Sequence, residues 1–244
     1  MKITIVTVSY NSEKTIKDTI ESVLNQTYNN IEYIIVDGKS EDNTVAIAES
    51  YKEEFRKKGM EFKIISEKDS GIYDAMNKGA RLATGKFIAM LNSDDWYEPN
   101  AVETVVKAYE EEPFDMFYAD IRLIKEDGSS IIKHSKYDKI ATSRHWNHPT
   151  SFISKDIYNK MQYKCEGIHD DFDLFLRIKK AGKKIVIKNV VIANFRVGGV
   201  SNDKSFKKCR ERFLNRYHIY RSNGYSRLYV IECLAIEAAK FILS

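Results

Sequence analysis

Four short apolar runs alternate with segments of helical period through the first hundred residues, and few folds accommodate that alternation. Ile3, Ile5, Val6 and Val8, then "YIIVD" (33–37), "FKIIS" (62–66) and "KFIAML" (86–91), have the β-branched, apolar character of buried strands. Between them, Ile16, Ile20, Val23 and Leu24 recur at helical spacing, with Asn11 or Ser12 as the expected cap. "NTVAIAESYKEEFRKKG" reads as one helix ending in basic residues and Gly59, and "GIYDAMNKGARLATG" puts Ile72, Met76, Ala80 and Ala83 on one face. Strand–helix alternation predicts a parallel sheet with crossover connections. Strands that are apolar throughout predict cover on both faces. The expected class is α/β, a mostly parallel sheet between layers of helices.

The second half is less regular. "NAVETVVKAYEEE" predicts a helix after Pro99, and "FDMFYADIRLI" and "IIKHS" predict a hairpin around the turn "EDGSS". "TSFISKDIYNKM" reads as a short strand and helix, "DFDLFLRIKKAG" as an amphipathic helix ending at Gly182, and "KIVIKNVVIANFRVGG" as strand again. From Asp203 onward the chain is helical, basic and aromatic in character.

Composition removes several function classes. With 244 residues and 43% hydrophobic residues the chain can bury a core. A net charge of +4 and a pI near 8.7 are too mild to argue for nucleic acid as a partner. Cys165, Cys209 and Cys233 are widely spaced and form no CxxC pair, as expected of free thiols in a reducing compartment. The apolar N-terminal run is too short for a signal peptide, and no stretch approaches the length of a membrane span. The expected location is cytoplasmic, with peripheral contact at the inner face of the membrane as an option.

Open parallel sheets bind ligands beyond the carboxyl ends of their strands. Those ends carry Ser9, Tyr10 and Asn11; Asp37 and Gly38; Asp69, Ser70 and Gly71; and Asn92, Ser93, Asp94 and Asp95. Any one of these acids could be a turn former or a helix cap. Acids at three of four ends on one rim point more strongly to a ligand. The first turn, "SYNSEKT", has no glycine and so offers no G-x-G-x-x-G loop for a pyrophosphate. Neither "DGKS" nor "TGKF" completes a P-loop. What remains for phosphate is a divalent cation held by carboxylates, Mg2+ or Mn2+.

The ordered motifs "TVSYNSEKTIKDTIESVLNQTYNNIEYIIVDGKSEDNT" and "SGIYDAMNKGARLATGKFIAMLNSDDWY" resemble the donor-binding half of family 2 glycosyltransferases, inverting enzymes with the Rossmann-like GT-A fold. The similarity continues through "HPTSF", "HDDFDLFLR" and "NFRVGGVSN". It implies a catalytic domain over 1–202, with a nucleotide-sugar-binding half (1–100) and an acceptor-side half (101–202), followed by a helical segment over 203–244. It implies that Thr7, Tyr10 and Asp37, with Glu13 nearby, hold the nucleotide base, and that Asp69, Asp74, Asn77 and Lys78 line the donor cleft. Asp94 would meet the ribose or sugar, and Asp95 would coordinate the metal. The base for the acceptor hydroxyl would be Asp171, with Asp170 able to share that role, and His148 would lie on the acceptor side. Apart from the resemblance, Asp170, Asp171 and Asp173 are equally acids placed at a helix start, where the dipole favours them. Lys39 departs from the small residue usual after "DG" in such sequences. His145 and His148 form an H-x-x-H with nothing spaced to complete a zinc site.

The implied partners are a nucleotide-sugar donor, UDP-linked, and a saccharide or lipid-linked acceptor in cell-surface polysaccharide assembly. Two rival readings are a sugar-nucleotide-forming nucleotidyltransferase and a nucleotide-sugar-binding protein without catalysis. The C-terminal segment concentrates Lys204, Lys207, Lys208, Arg210, Arg212, Arg216, Arg221 and Arg227, with Phe206, Phe213, Tyr217 and Tyr220 between them. It could lie on a membrane surface, pack on the catalytic domain, or form a homodimer contact.

Overall fold

A computed structural model describes residues 1–198 and 205–243; the boundary expected at 202–203, the end of "NFRVGGVSN" and Lys204 lie outside them. The four expected runs are strands β1 (Ile3–Ser9), β2 (Ile31–Asp37), β3 (Glu61–Ser66) and β4 (Phe87–Met90). They pair in parallel. β5 (Trp96–Tyr97), β6 (Met116–Ile124), β7 (Ser130–Lys133), β8 (Phe152–Ser154) and β9 (Ile185–Arg196) extend them into one sheet. The order is β3-β2-β1-β4-β8-β6-β9-β5, with β7 on β6 as the expected hairpin. β8 runs antiparallel between β4 and β6, and β9 runs parallel to β6.

Apolar residues on both faces of the sheet explain why helices cover both. Ile3, Ile5, Phe87 and Ala89 face a core shared with α1 (Ile16–Leu24), α2 (Thr44–Ser50), α3 (Lys52–Lys57) and α5 (Ala101–Glu111). Val6, Val8, Ile34 and Ile88 face the other core, shared with α4 (Ile72–Leu82), α6 (Lys155–Tyr158), α7 (Asp170–Lys180), α8 (Phe206–Ser222) and α9 (Tyr229–Leu243). The expected α/β class, with C-terminal helices, is the one observed.

Three local expectations change. α1 begins at Ile16 with Thr15 as its N-cap, not Asn11 or Ser12. The Ser12 hydroxyl instead meets Ser93 Oγ at 2.8 Å, which ties the first turn to the fourth strand end. The single helix expected over 43–59 is two, broken at Tyr51, whose ring is buried and whose hydroxyl donates to Glu21 of α1 at 2.7 Å. The two-residue β5, paired antiparallel with β9 at Trp96↔Asn194, had no counterpart in the sequence reading.

Candidate active site

Register fixes the rim. Ser9, Asp37 and Ser66 are opposite one another on β1, β2 and β3, so their side chains meet. Asp37 is fully buried: Oδ1 accepts from Ser9 Oγ (3.1 Å) and Ser40 Oγ (2.5 Å), and Oδ2 from Ser40 N (2.9 Å) and Ser66 Oγ (2.7 Å). Both oxygens are thus engaged in holding three strand ends together. Beside it, Tyr10 (63% exposed), Gly38, Lys39, Glu41, Lys68 and Asp69 line an open cavity of about 490 Å3. Gly38 belongs there for a steric reason, because a Cβ would come within 2.6 Å of Asp69 Oδ2. Lys39 is held at φ +65°, a backbone conformation unusual for a lysine. Glu13 reaches the same loop, its Oε2 accepting from the backbone N–H and side-chain amide of Asn43 at 3.1 and 2.8 Å.

Other expected donor residues make bonds within the fold. Thr7 is buried within β1 and accepts from the Tyr33 hydroxyl at 3.0 Å. Asn77 is buried, with Nδ2 donating to Tyr163 O (2.9 Å) and Oδ1 accepting from Tyr163 N (3.0 Å), so it clamps α4 to the loop before α7. Lys78 lies between Glu67 (3.0 Å) and Asp74 (3.6 Å), and Asp74 Oδ2 accepts from Ser70 N at 3.0 Å. Asp69 Oδ1 accepts from Gly71 N at 2.9 Å. These bonds shape the β3–α4 turn.

The acidic pair follows β4. Asp95 is fully buried; its Oδ1 accepts from Arg196 N at 3.2 Å, and its Oδ2 has no hydrogen-bond partner. Asn92 Oδ1 is also buried without one. Burial, and then the neighbouring Asp94 charge, push the Asp95 carboxyl well above the usual range despite Arg196. Burial also raises Asp94. Arg196, at the end of β9, donates to Asp94 O (3.3 Å) and Asp18 Oδ2 (2.9 Å) and lies over the Trp96 ring at 5.0 Å. A buried, unsatisfied carboxylate oxygen beside a second carboxylate is costly to maintain alone. It suits a hard cation that prefers oxygen ligands, and so the donor set fits Mg2+ or Mn2+. Among the described residues no three or more His, Cys, Asp or Glu are grouped to hold a metal by themselves. Protein ligands at this position would therefore be incomplete without oxygens from a substrate.

The first turn of α7 supplies three acids in three environments. Asp173 is buried and paired with Lys164 (2.9 Å) and Arg177 (2.7 Å). Asp170 is buried, accepts from Glu166 N at 2.8 Å, and is raised by burial. Asp171 is half-buried, and its Oδ1 accepts from the Tyr73 hydroxyl of α4 at 3.0 Å. Burial, followed by the Asp171 charge, pushes the Tyr73 hydroxyl well above its ordinary pKa, so it remains a donor. His148 contacts Tyr163 OH through Nε2 at 3.2 Å, and burial lowers its pKa although the Asp171 charge opposes this. Tyr97 OH donates to Pro149 O at 3.1 Å, which places the strand after the acidic pair against the turn that carries His148.

Sequence reasoning did not single out Tyr73 or Arg196. Each lies inside a motif quoted above, but its partner is about a hundred residues away (98 for Tyr73–Asp171, 101 for Arg196–Asp95).

Comparison with known proteins places this geometry in a group. The Bacillus subtilis protein EpsH is 42% identical over 98 residues, 40% of this chain and 27% of EpsH. An Escherichia coli chondroitin synthase is 29% identical over 182 residues, 71% of this chain and 26% of the synthase. The chain thus spans about a quarter of the length of either relative. Among solved structures, S. aureus TarS 1–349 in complex with UDP-GlcNAc aligns with a TM-score of 0.65 at 16% identity, over 98% of this chain and 72% of that one. The mannosyltransferase PcManGT from Pyrobaculum calidifontis, in complex with GDP-Man and Mn2+, aligns with a TM-score of 0.71 at 13% identity, over 97% and 69%. At such identities these two establish the GT-A fold alone. The sequence family described as Glycosyl transferase family 2 matches residues 4–181, a span that holds the strand-end rim, the acidic pair and Asp171, and the chain belongs to that family.

Proposed function

We propose that the protein is an inverting, divalent-metal-dependent glycosyltransferase. It moves a hexosyl or N-acetylhexosaminyl group from a UDP-linked donor to a hydroxyl of a saccharide or lipid-linked acceptor in cell-surface polysaccharide biosynthesis. The observation that carries this reading is Asp95 Oδ2, buried and without a partner at the end of β4. The UDP-GlcNAc complex of TarS supports a UDP-sugar, and the Mn2+ complex of PcManGT supports a divalent metal. The chondroitin synthase relative supports a polysaccharide product. The family match favours this over a nucleotidyltransferase.

The roles follow from the surroundings of each residue. The exposed Tyr10 ring, over the cavity lined by Gly38, Lys39, Lys68 and Asp69, would stack on the base. Asp37, bonded to Ser9, Ser40 and Ser66, holds that rim in shape with Glu13 on the neighbouring loop, and Thr7 supports β1 against Tyr33. Asp74 and Lys78 fix the β3–α4 turn below the donor, and Asn77 fixes α4 against the loop before α7. Asp94 faces the ribose or sugar, and Asp95 holds the metal. A divalent cation bound there would neutralise the charge that develops on the diphosphate leaving group. Asp171 takes the proton of the acceptor hydroxyl, with Tyr73 holding Oδ1 so that Oδ2 is presented. Asp170, turned inward onto Glu166 N, supports the helix start and leaves the base to Asp171. His148, kept neutral by burial, borders the acceptor side.

Thermal unfolding with UDP and Mn2+ tests the donor site. At about 100 times Kd the pair should raise Tm by roughly 5–10 °C. Asp95→Ala should abolish the rise. An undiminished rise in that variant removes Asp95 from the site, and a rise with UTP but not UDP would favour the nucleotidyltransferase.

A further inference from the structure

α8 and α9 form a helical hairpin, joined by the Arg212–Glu237 ion pair at 3.0 Å and by the rings of Tyr220 and Tyr229 at 4.4 Å. Its inner face is packed: Arg212, Arg216, Ile219, Tyr220, Asn223, Cys233 and Ile236 are buried. Arg212, Arg216 and Tyr220, part of the basic, aromatic character of the sequence, are therefore turned inward. Arg216 Nη2 meets His169 Nε2 at 3.0 Å, and Asn215 Oδ1 meets His169 Nδ1 at 3.1 Å, immediately before Asp170 and Asp171.

The outer face differs in two respects. Leu228, just before α9, and Ile231 and Leu234 on it are 71%, 64% and 57% exposed at three-residue spacing, while Phe206 (86%) and Leu214 (46%) are exposed on α8. The acids of the hairpin are all paired. Glu232 pairs with Arg144 at 2.8 Å, Glu237 with Arg212, and Glu211 with Lys208 at 2.9 Å. Lys207, Arg210, Arg221 and Arg227 are exposed cations, whereas the part-exposed acid Glu211 is paired with Lys208.

We propose that this outer face docks on an anionic lipid surface. Exposed leucine and isoleucine on one side of a helix favour cover, and exposed cations that outnumber a single paired acid favour an anionic partner. Lipid headgroups meet both requirements at once, with apolar side chains entering the acyl boundary and cations remaining among the phosphates. A second copy would meet only the first, because pairing two such faces brings like charges together. Among the described residues no helix is long and apolar enough to cross a membrane, so the hairpin lies on the surface. Its bonds to His169 tie the docked hairpin, through its inner face, to the start of α7. Docking would hold the catalytic domain at the surface where a lipid-linked acceptor resides, and only this consequence rests on the function proposed above.

Flotation of the full chain with vesicles, without donor or acceptor, tests the docking. Phosphatidylcholine vesicles containing about a third phosphatidylglycerol should bind at least roughly tenfold more protein than pure phosphatidylcholine. Raising salt from about 0.1 to 0.5 M should weaken that binding. Leu228→Ser/Ile231→Ser/Leu234→Ser should lower it about tenfold or more. Arg210→Glu/Arg227→Glu should remove the preference for anionic vesicles. All of these positions are exposed, so the UDP and Mn2+ thermal shift should persist in both variants. Equal binding to both vesicle types, or none, overturns the proposal. So does a dimer in light scattering that the triple serine variant dissolves while vesicles are ignored. Failure here with an intact UDP shift counts against the docking alone.

Discussion

A tyrosine hydroxyl on α4 donates to Asp171 Oδ1. Removing it separates positioning from chemistry, because Tyr73 touches the carboxylate and also Ile168 O at 3.2 Å. Asp171→Asn preserves size and the accepting Oδ1 but cannot take a proton, so kcat should fall by about 10²–10⁴ while the UDP and Mn2+ thermal shift stays normal. Tyr73→Phe leaves the carboxylate in place but free to turn, and kcat should fall about tenfold with donor KM unchanged. Steady-state kinetics on the two variants distinguish the roles. A Tyr73→Phe loss as large as that of Asp171→Asn would make the tyrosine itself the proton carrier, and unchanged turnover in Asp171→Asn would remove Asp171 from the mechanism.

At the scale of elements, α4 links the two halves. Tyr73 reaches α7, Asn77 clamps the loop before it, and Gly79 lets the helix settle on β1, where a Cβ would lie 2.3 Å from Val6 Cγ1. Gly79→Ala should therefore cost about 1–3 kcal/mol through overpacking, despite alanine's better helix propensity. Adding Val6→Ala should recover part of the loss, and a double-mutant cycle in urea reads the coupling. Strictly additive effects would show that helix and strand do not press on each other there. The same helix shows what was legible in the sequence. Its apolar period, its glycine boundaries and the continuous strands on either side are local signals, and the parallel sheet followed from them. β5 is two residues long and exists only because β9 returns beside it, so no local period marks it. The Tyr51 break and the late start of α1 likewise depend on tertiary bonds, to Glu21 and Ser93. In the site, acids at strand ends were visible because topology alone brings them to one rim. Which of them are engaged in structure, as Asp37 is, was not visible, because Ser9, Ser40 and Ser66 come from three separate segments.

Across the whole molecule, the sheet carries a buried carboxylate at each end of β2, and the two behave differently. Asp37 shapes the ligand rim, whereas Glu32 joins four segments at the far end. Its Oε2 accepts from Thr4 Oγ1 and Thr84 N, both at 2.7 Å, and its Oε1 from Lys63 at 2.8 Å. Burial alone would raise its pKa, but the bonds from Lys63, Thr4 and Thr84 outweigh burial and bring it down from 4.5 to about 2. Asp173 follows the same pattern at the base of the hairpin. Burial opposes its ionisation, yet Lys164, Asn223 and Arg177 hold its carboxyl below the usual range. Between pH 4.5 and about 2 the unfolded chain binds a proton at Glu32 that the folded chain does not. The stabilisation from Glu32 is therefore complete above pH 4.5 and disappears as pH falls toward 2. Glu32→Gln should be less stable than the wild type at neutral pH, since a buried amide cannot replace the charge opposite Lys63. The two proteins should converge as acid removes that charge from the wild type. Urea midpoints measured from neutral pH down to about 3 follow this directly. A gap that stays constant across the series would mean that Glu32 contributes shape rather than charge, and the acid sensitivity of the fold would then have to come from Asp173 and the junction between α7 and the hairpin.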